Sequence, residues 1–242
     1  MEQIICDRRQ SLCCKGTNIF RKYFKHGGKS VAQREGKYSR LYEAYGINTP
    51  HFIVTNFSQE RRMFFNDYCY VNMTSLSESN FSEKIFQQIS SCMRRISEET
   101  ILCDEGVSFW SNNYRSDLLY ALNFIKPHIN TEFLLQKVYD QKISVIMHGD
   151  FSLFNMGLLE NEAVCLYDFA SAGCAPLWWN WGYFIACLSP ICGWKIYEAF
   201  RNEDLLYCVK LASAVRFGRA LRKNEDTEKR CGIFKYWSEI ES

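Results

Sequence analysis

The chain has 242 residues, 47% of them hydrophobic and 16% aromatic, with a formal net charge of +2. That apolar content excludes disorder and is enough for one domain or two small lobes. The near-neutral balance, with no long basic run, excludes nucleic acid as the main partner, and no apolar run is long enough to predict a membrane span.

Residues 10–14 and 18–24 read as strands around a turn at Lys15, Gly16 and Thr17. In the second, the two-residue period puts Phe20, Lys22 and Phe24 on one face. A lysine between two inward aromatics wants an anionic partner; one step out of register, it lies in solvent instead. Ser30 is predicted to cap a helix carrying Val31, Glu35, Tyr38, Tyr42 and Tyr45 on one stripe, with Gly46 ending it. Glu35 therefore sits on an apolar stripe and needs a cation, and Lys22 is the nearest candidate in strand order.

Residues 51–54 and 62–65 read as two further strands, after which Asp67, Tyr68, Cys69 and Tyr70 are predicted to connect two lobes. Helical spacing follows at Phe81, Ile85, Ile89, Cys92 and Ile96, and again at Leu118, Leu122 and Ile125. The acidic residues Glu98, Glu99, Asp104 and Glu105 between them read as a solvated loop. A β-rich apolar run at 143–147 leads into His148. Residues 156–159 and 163–167 then form a hairpin about Glu160, Asn161 and Glu162, and the segments near 181–188 and 205–221 look helical. The twelve cysteines show no metal-binding spacing, and no secretory signal precedes them; reduced, mostly buried thiols in a cytoplasmic protein are expected.

The chemistry concentrates in residues 148–168. His148, Asp150 and Asn155 spell H-x-D-x-x-x-x-N, and Asp168 closes the second hairpin strand eighteen residues after Asp150. Phosphoryl transfer needs a carboxylate that orients the attacking hydroxyl and oxygen ligands that hold Mg²⁺ against the phosphates. Mg²⁺ takes hard oxygens in octahedral geometry, so one amide oxygen and one carboxylate, completed by water and phosphate, suffice. Polar clusters at the ends of apolar strands are costly without a ligand to justify them.

These residues resemble the aminoglycoside phosphotransferase and choline kinase group, the small-molecule branch of the protein-kinase-like fold. The run from His148 to Asn155 resembles its H-G-D-x-x-x-x-N loop, Leu166 to Phe169 its I-D-[FW] strand end, and Gly173 to Ala186 its G-D-P-x-W-D-L-A run. Lys22 and Glu35 resemble its strand lysine and helix glutamate. The likeness spans roughly residues 18–190 and is most specific in its second half.

The resemblance implies an α+β, bilobal fold. Residues 1–70 would form a small antiparallel-sheet lobe with one helix that binds nucleotide, and residues 71–242 a larger, mostly helical lobe for catalysis and acceptor binding. Asp150 would be the catalytic base, and Asn155 and Asp168 the Mg²⁺ ligands. Lys22, held by Glu35, would contact the phosphates of ATP or GTP. Backbone groups near Asp67, Tyr68, Cys69 and Tyr70 would hold the base, and His148 would brace the loop. The group's aspartate in the D-L-A run is replaced by Trp179 or Asn180, depending on the direction of counting, and Asn180 would take over loop support. No glycine-rich turn precedes Lys22, so either Arg8, Arg9 and Gln10 would cover the phosphates or the cover would be poor. Phe169, Ala170 and Ser171 replace the glycine found near the metal aspartate in protein kinases, which favours the small-molecule branch.

Trp178, Trp179 and Trp181 either hold a cationic acceptor by cation–π attraction or pack between helices. The leading function is phosphate transfer from ATP or GTP to a hydroxyl of a small molecule such as an amino alcohol, aminoglycoside or sugar. A compact protein kinase and a non-catalytic binding module of the same fold are the alternatives.

Overall fold

The computed structural model describes residues 3–7, 11–26, 28–98, 112–141 and 143–241. Arg8, Arg9 and Gln10, and Glu99, Asp104 and Glu105 of the acidic loop, lie outside the described residues. In chain order the first elements are β1 (Gln3–Asp7), β2 (Ser11–Lys15), β3 (Ile19–Phe24), α1 (Gly28–Ala44), β4 (Phe52–Ser58), β5 (Met63–Cys69), β6 (Thr74–Ser75) and α2 (Glu83–Glu98). Next come α3 (Asn112–Ile125), α4 (Thr131–Asp140), β7 (Ile143–Met147), β8 (Met156–Leu158), β9 (Val164–Leu166) and β10 (Gly173–Pro176). Four helices close the chain: α5 (Trp179–Cys187), α6 (Pro190–Phe200), α7 (Glu203–Lys223) and α8 (Thr227–Glu239). The chain forms two compact units, Met1–Glu98 with His148–Ala172, and Glu99–Met147 with Gly173–Ser242.

The first unit is built on an antiparallel sheet in the order β1-β2-β3-β5-β4. Register sets what each face carries. Lys22 pairs with Cys13 on one side and Asn66 on the other, while its neighbour Tyr23 pairs with Leu12 and Phe65. Because successive side chains alternate, Leu12, Cys14, Tyr23 and Phe65 form a buried apolar cluster on one face. Lys22 and Asn66 stand on the other, and both are buried.

Two features depart from the sequence-based reading. Strand β1 was not anticipated, because its side chains are almost all exposed and carry no two-residue burial pattern. Strand β5 runs on through Cys69, so Asp67, Tyr68 and Cys69 belong to a strand paired on both sides rather than to a connection.

Helix α1 begins at Gly28, which places Ser30 inside the first turn and not at the cap. Its buried face includes Glu35, Gly36, Tyr38 and Tyr42, and Gly46 (φ +70°) provides the left-handed turn that ends the helical run. A Cβ at Gly36 would come 2.6 Å from the Phe52 ring, so any larger residue there would have to displace that ring from between α1 and β4. A second, three-stranded sheet in the order β6-β8-β9 holds the predicted hairpin. Asn48, in the loop after α1, ties to it: its carbonyl accepts from Leu166 N at 2.9 Å and its Nδ2 donates to the Val164 carbonyl at 3.2 Å.

The second unit is mostly helical, with β7 and β10 paired antiparallel. Its core draws on Tyr114 and Leu118 of α3, Trp179 and Tyr183 of α5, Leu211 and Phe217 of α7, and Phe234 of α8. Helices α4, α6 and α8 were not anticipated. The first buries only Thr131, Leu134 and Val138 and the second only Gly193 and Ile196, too few positions for a convincing periodic stripe. No helix among the described residues is long and apolar enough to cross a membrane. Among the described residues ten cysteines are free thiols, whereas Cys174 is disulfide-bonded, which departs from the expectation of reduced thiols.

Candidate active site

The segment from His148 to Asn155 is held in shape by its own backbone and by the hairpin after it. Gly149 has φ +88°, and a Cβ there would stand 1.9 Å from the Ser171 carbonyl oxygen. Conformation and space therefore both demand glycine. His148 is fully buried, and its Nε2 donates to the Tyr167 carbonyl at 3.0 Å. Its ring packs against Phe169 at 4.7 Å between centroids and meets Tyr42 edge-on at 6.2 Å. Burial lowers its pKa, outweighing the nearby charges of Asp150 and Asp168, so His148 stays neutral.

A short 3-10 turn, Leu153–Asn155, brings Asn155 back toward the start of the loop. Its Nδ2 donates to the Asp150 carbonyl at 2.8 Å, and its own carbonyl accepts from Tyr167 N at 3.1 Å. The amide nitrogen thus ties the two ends of the loop together, and Asn155 also lines a cavity. Asp150 is half-buried within the same loop. Asp168 leaves the hairpin with φ +69°, a left-handed conformation that aspartate tolerates better than most residues. Such conformations cluster where a side chain must be aimed.

Lys22, Glu35, Asn155, Tyr167 and Asp168 line one cavity of about 200 Å³, walled by Ile5, Cys13, Phe20, Tyr68 and Phe154 among others. Lys22 Nζ donates to Glu35 Oε2 at 2.7 Å and to Asp168 Oδ1 at 2.8 Å. The Tyr68 hydroxyl donates to the other Glu35 oxygen, Oε1, at 2.8 Å. Burial by itself would depress the Lys22 ammonium, yet Asp168 and Glu35 together overcome it and raise its pKa. Glu35 is held above the ordinary carboxylate range by burial, against the pull of Lys22. For Asp168 burial also acts upward, but Lys22 wins and the pKa is lowered; its side chain keeps 38% of its surface exposed. The lysine is therefore a stable cation, and Asp168 is an anion that solvent or a ligand can reach.

Of the four residues assigned to the base-binding connection, only Tyr68 lines this cavity. Asp67 takes a bidentate ion pair from Arg21, at 2.6 and 2.8 Å. Cys69 is exposed, and Tyr70 receives the Lys15 ammonium over its ring at 3.8 Å from the centroid. Asn180 is buried in the second unit and donates from Nδ2 to the Ile146 carbonyl at 2.8 Å, on the strand that runs into His148. All three tryptophans pack against other aromatic rings. Trp179 is fully buried against Tyr114 and Tyr183, Trp181 packs on Phe184 and Phe200, and Trp178 is half-buried against Phe200. In this arrangement no ligand reaches the Trp179 ring.

Sequence reasoning missed Ile5 and Cys6 beside the cavity, because β1 left no pattern to read. It also missed Asn66, which is fully buried two residues before Tyr68 on the same strand face. An amide inside the apolar run of β5 was the available signal.

No family model and no curated protein sequence matches the chain. Solved structures do. The amicoumacin kinase hAmiN, in complex with AMP-PNP, Ca²⁺ and Ami, aligns over 98% of this chain and 86% of its own at 10% identity, with a TM-score of 0.71. The choline kinase LicA from Streptococcus pneumoniae aligns over 99% and 94% at 14% identity, with a TM-score of 0.68. The GDP complex of aminoglycoside 2'-phosphotransferase-IIIa aligns over 98% and 92% at 12% identity, with a TM-score of 0.65. The chain has the α+β, kinase-like fold that these proteins share.

Proposed function

We propose that the protein is a Mg²⁺-dependent phosphotransferase that moves the terminal phosphate of ATP or GTP to a hydroxyl of a small molecule. One observation carries this reading above the others. Lys22, 146 residues distant in sequence, meets Asp168 at 2.8 Å and Glu35 at 2.7 Å in one cavity that Asn155 also lines. A buried cation with two carboxylates is expensive as mere architecture, since apolar packing would do as well. As a phosphate and metal site it has a purpose.

Lys22 presents its ammonium to phosphate oxygens while Glu35 keeps its stem in place. Asn155 Oδ1 and the reachable carboxylate of Asp168 are hard oxygens of the kind Mg²⁺ selects, and the remaining positions suit water and phosphate. When bound, Mg²⁺ neutralises charge on the transferring phosphate. Asp150, on the loop pinned by Asn155, accepts a hydrogen bond from the acceptor hydroxyl, orients it and takes its proton as the new oxygen–phosphorus bond forms and the bond from the terminal phosphorus to the bridging oxygen breaks, the nucleoside diphosphate leaving. His148 and Asn180 keep that loop in position.

Residues 1–70 act as the nucleotide lobe in this reading and residues 71–242 as the lobe for catalysis and acceptor. The bound AMP-PNP and GDP of the structural relatives make ATP and GTP the donors to try first. Their names point to amino alcohols and aminoglycosides as acceptors, with sugars as the wider class. Ten free thiols among the described residues, against one disulfide-bonded cysteine, Cys174, favour a reducing compartment, the cytoplasm. The test is nucleotide consumption with Mg²⁺ against a panel of amino alcohols, aminoglycosides, sugars and generic protein acceptors. Turnover with a small hydroxyl compound is expected; turnover only with protein acceptors, or with none, refutes the reading.

A further inference from the structure

Glu35 is held by more than its lysine. Thr55 Oγ1 donates to Asn66 Oδ1 at 2.7 Å, and Asn66 Nδ2 donates to the Tyr68 hydroxyl oxygen at 3.0 Å. The Tyr68 hydroxyl then donates to Glu35 Oε1 at 2.8 Å. The proton direction of this chain is set at every link. With Oδ1 of Asn66 taken up by Thr55, its amide hydrogens go to Tyr68 and to the Ala32 carbonyl of α1, at 2.9 Å. The phenol oxygen already accepts, so its single hydrogen goes to the carboxylate. Asn66 thus anchors the helix that carries Glu35 and also the phenol that orients its side chain. Asn66, Tyr68 and Glu35 are all buried, where a misdirected polar group is costly.

We propose that Tyr68, seated by Asn66 and Thr55, is a positioning residue that fixes the Glu35 carboxylate so that Lys22 is aimed at nucleotide phosphate. The inference rests on the phosphotransferase reading above and assigns Tyr68 a role through its side chain rather than its backbone. Among the described residues, three ionisable groups act on Glu35: Lys22 from β3, Tyr68 from β5 and Asp168 from the end of the hairpin. The Tyr68 hydrogen bond opposes the upward push of burial on Glu35. Without it, Glu35 protonates at a higher pH and releases its hold on Lys22.

The experiment measures Mg²⁺·AMP-PNP affinity by titration calorimetry between pH 6 and 8.5, with thermal unfolding alongside. Tyr68→Phe keeps the ring against Phe20 and Phe52 and removes one donor to a charged group. Affinity is expected to fall about tenfold at neutral pH. The acid-side loss of binding moves to higher pH, and the melting temperature falls by a few degrees because Asn66 and Glu35 each lose a buried partner; the shifted acid limb is the readout that a purely structural role would not move. Thr55→Val, two links away, shifts both readouts the same way by a smaller factor. In a Glu35→Ala background, Tyr68→Phe adds nothing. Unchanged affinity and an unmoved acid limb in Tyr68→Phe overturn this inference alone, as does an equal effect with and without Glu35. Failure of the unaltered protein to bind Mg²⁺·AMP-PNP overturns the functional reading and this inference together.

Discussion

Replacing Lys22 by methionine keeps the length of the side chain and removes only the ammonium. Glu35, whose side chain is 3% exposed, then has the Tyr68 hydroxyl but no cation. A buried carboxylate stripped of its partner costs about 3–5 kcal/mol. Asp168 adds little, because 38% of its side chain is exposed and solvent screens what remains. Glu35 escapes the cost by taking up a proton. Burial already holds its pKa above the usual value, and loss of Lys22 raises it further. For an acid whose folded pKa lies above the unfolded one, the folded state binds the proton more tightly. Stability is then greatest below the unfolded pKa and falls as pH rises toward the folded pKa, at about 1.4 kcal/mol per pH unit. The variant should therefore be about 3 kcal/mol less stable than the unaltered protein at pH 8, and less than about 1 kcal/mol less stable at pH 5. Urea unfolding at the two pH values measures this directly. A deficit that is the same at both, or one under about 1 kcal/mol at pH 8, would refute the claim that Lys22 compensates a buried Glu35 charge.

Asp150→Asn should lower kcat by about 10²- to 10⁴-fold with the nucleotide KM changed little, since the residue is assigned to the acceptor hydroxyl; steady-state kinetics with the acceptor found in the panel would decide it, and near-normal kcat removes the assignment. Asp168→Ala should abolish Mg²⁺-dependent nucleotide binding and Asn155→Ala should weaken it, which titration with and without Mg²⁺ reads out. Gly149→Ala should cost more than about 2 kcal/mol in urea unfolding, because its Cβ meets the Ser171 carbonyl at 1.9 Å in a backbone conformation that already disfavours alanine. A stable, active Gly149→Ala protein would mean that the loop and the Ser171 backbone separate easily.

What could be read in the sequence was local. The offsets from His148 to Asn155 lie within one loop, and the hairpin that ends at Asp168 is encoded by two short apolar runs and a polar turn. The strand period put Lys22 on a face with Phe20 and Phe24, and the helix period put Glu35 among buried tyrosines; the two side chains meet at 2.7 Å. Periodicity reports which way a side chain points, and for neighbouring elements that is nearly enough.

Tertiary structure alone decided which distant groups share a cavity. Asp168 as the second partner of Lys22 depends on how the hairpin docks, and nothing within 146 residues of chain encodes that distance. The link from Thr55 through Asn66 and Tyr68 to Glu35 requires the β4–β5 register, in which Thr55 stands opposite Asn66. A slip of one residue would turn Asn66 to the other face. Trp179 shows the same limit from the other side: its spacing allowed a ligand cage while favouring a helix core, and the burial that made it core comes from Tyr114 on a helix far back in the chain. Short-range pattern fixes direction, whereas distance between elements is set by packing, which depends on the whole chain at once.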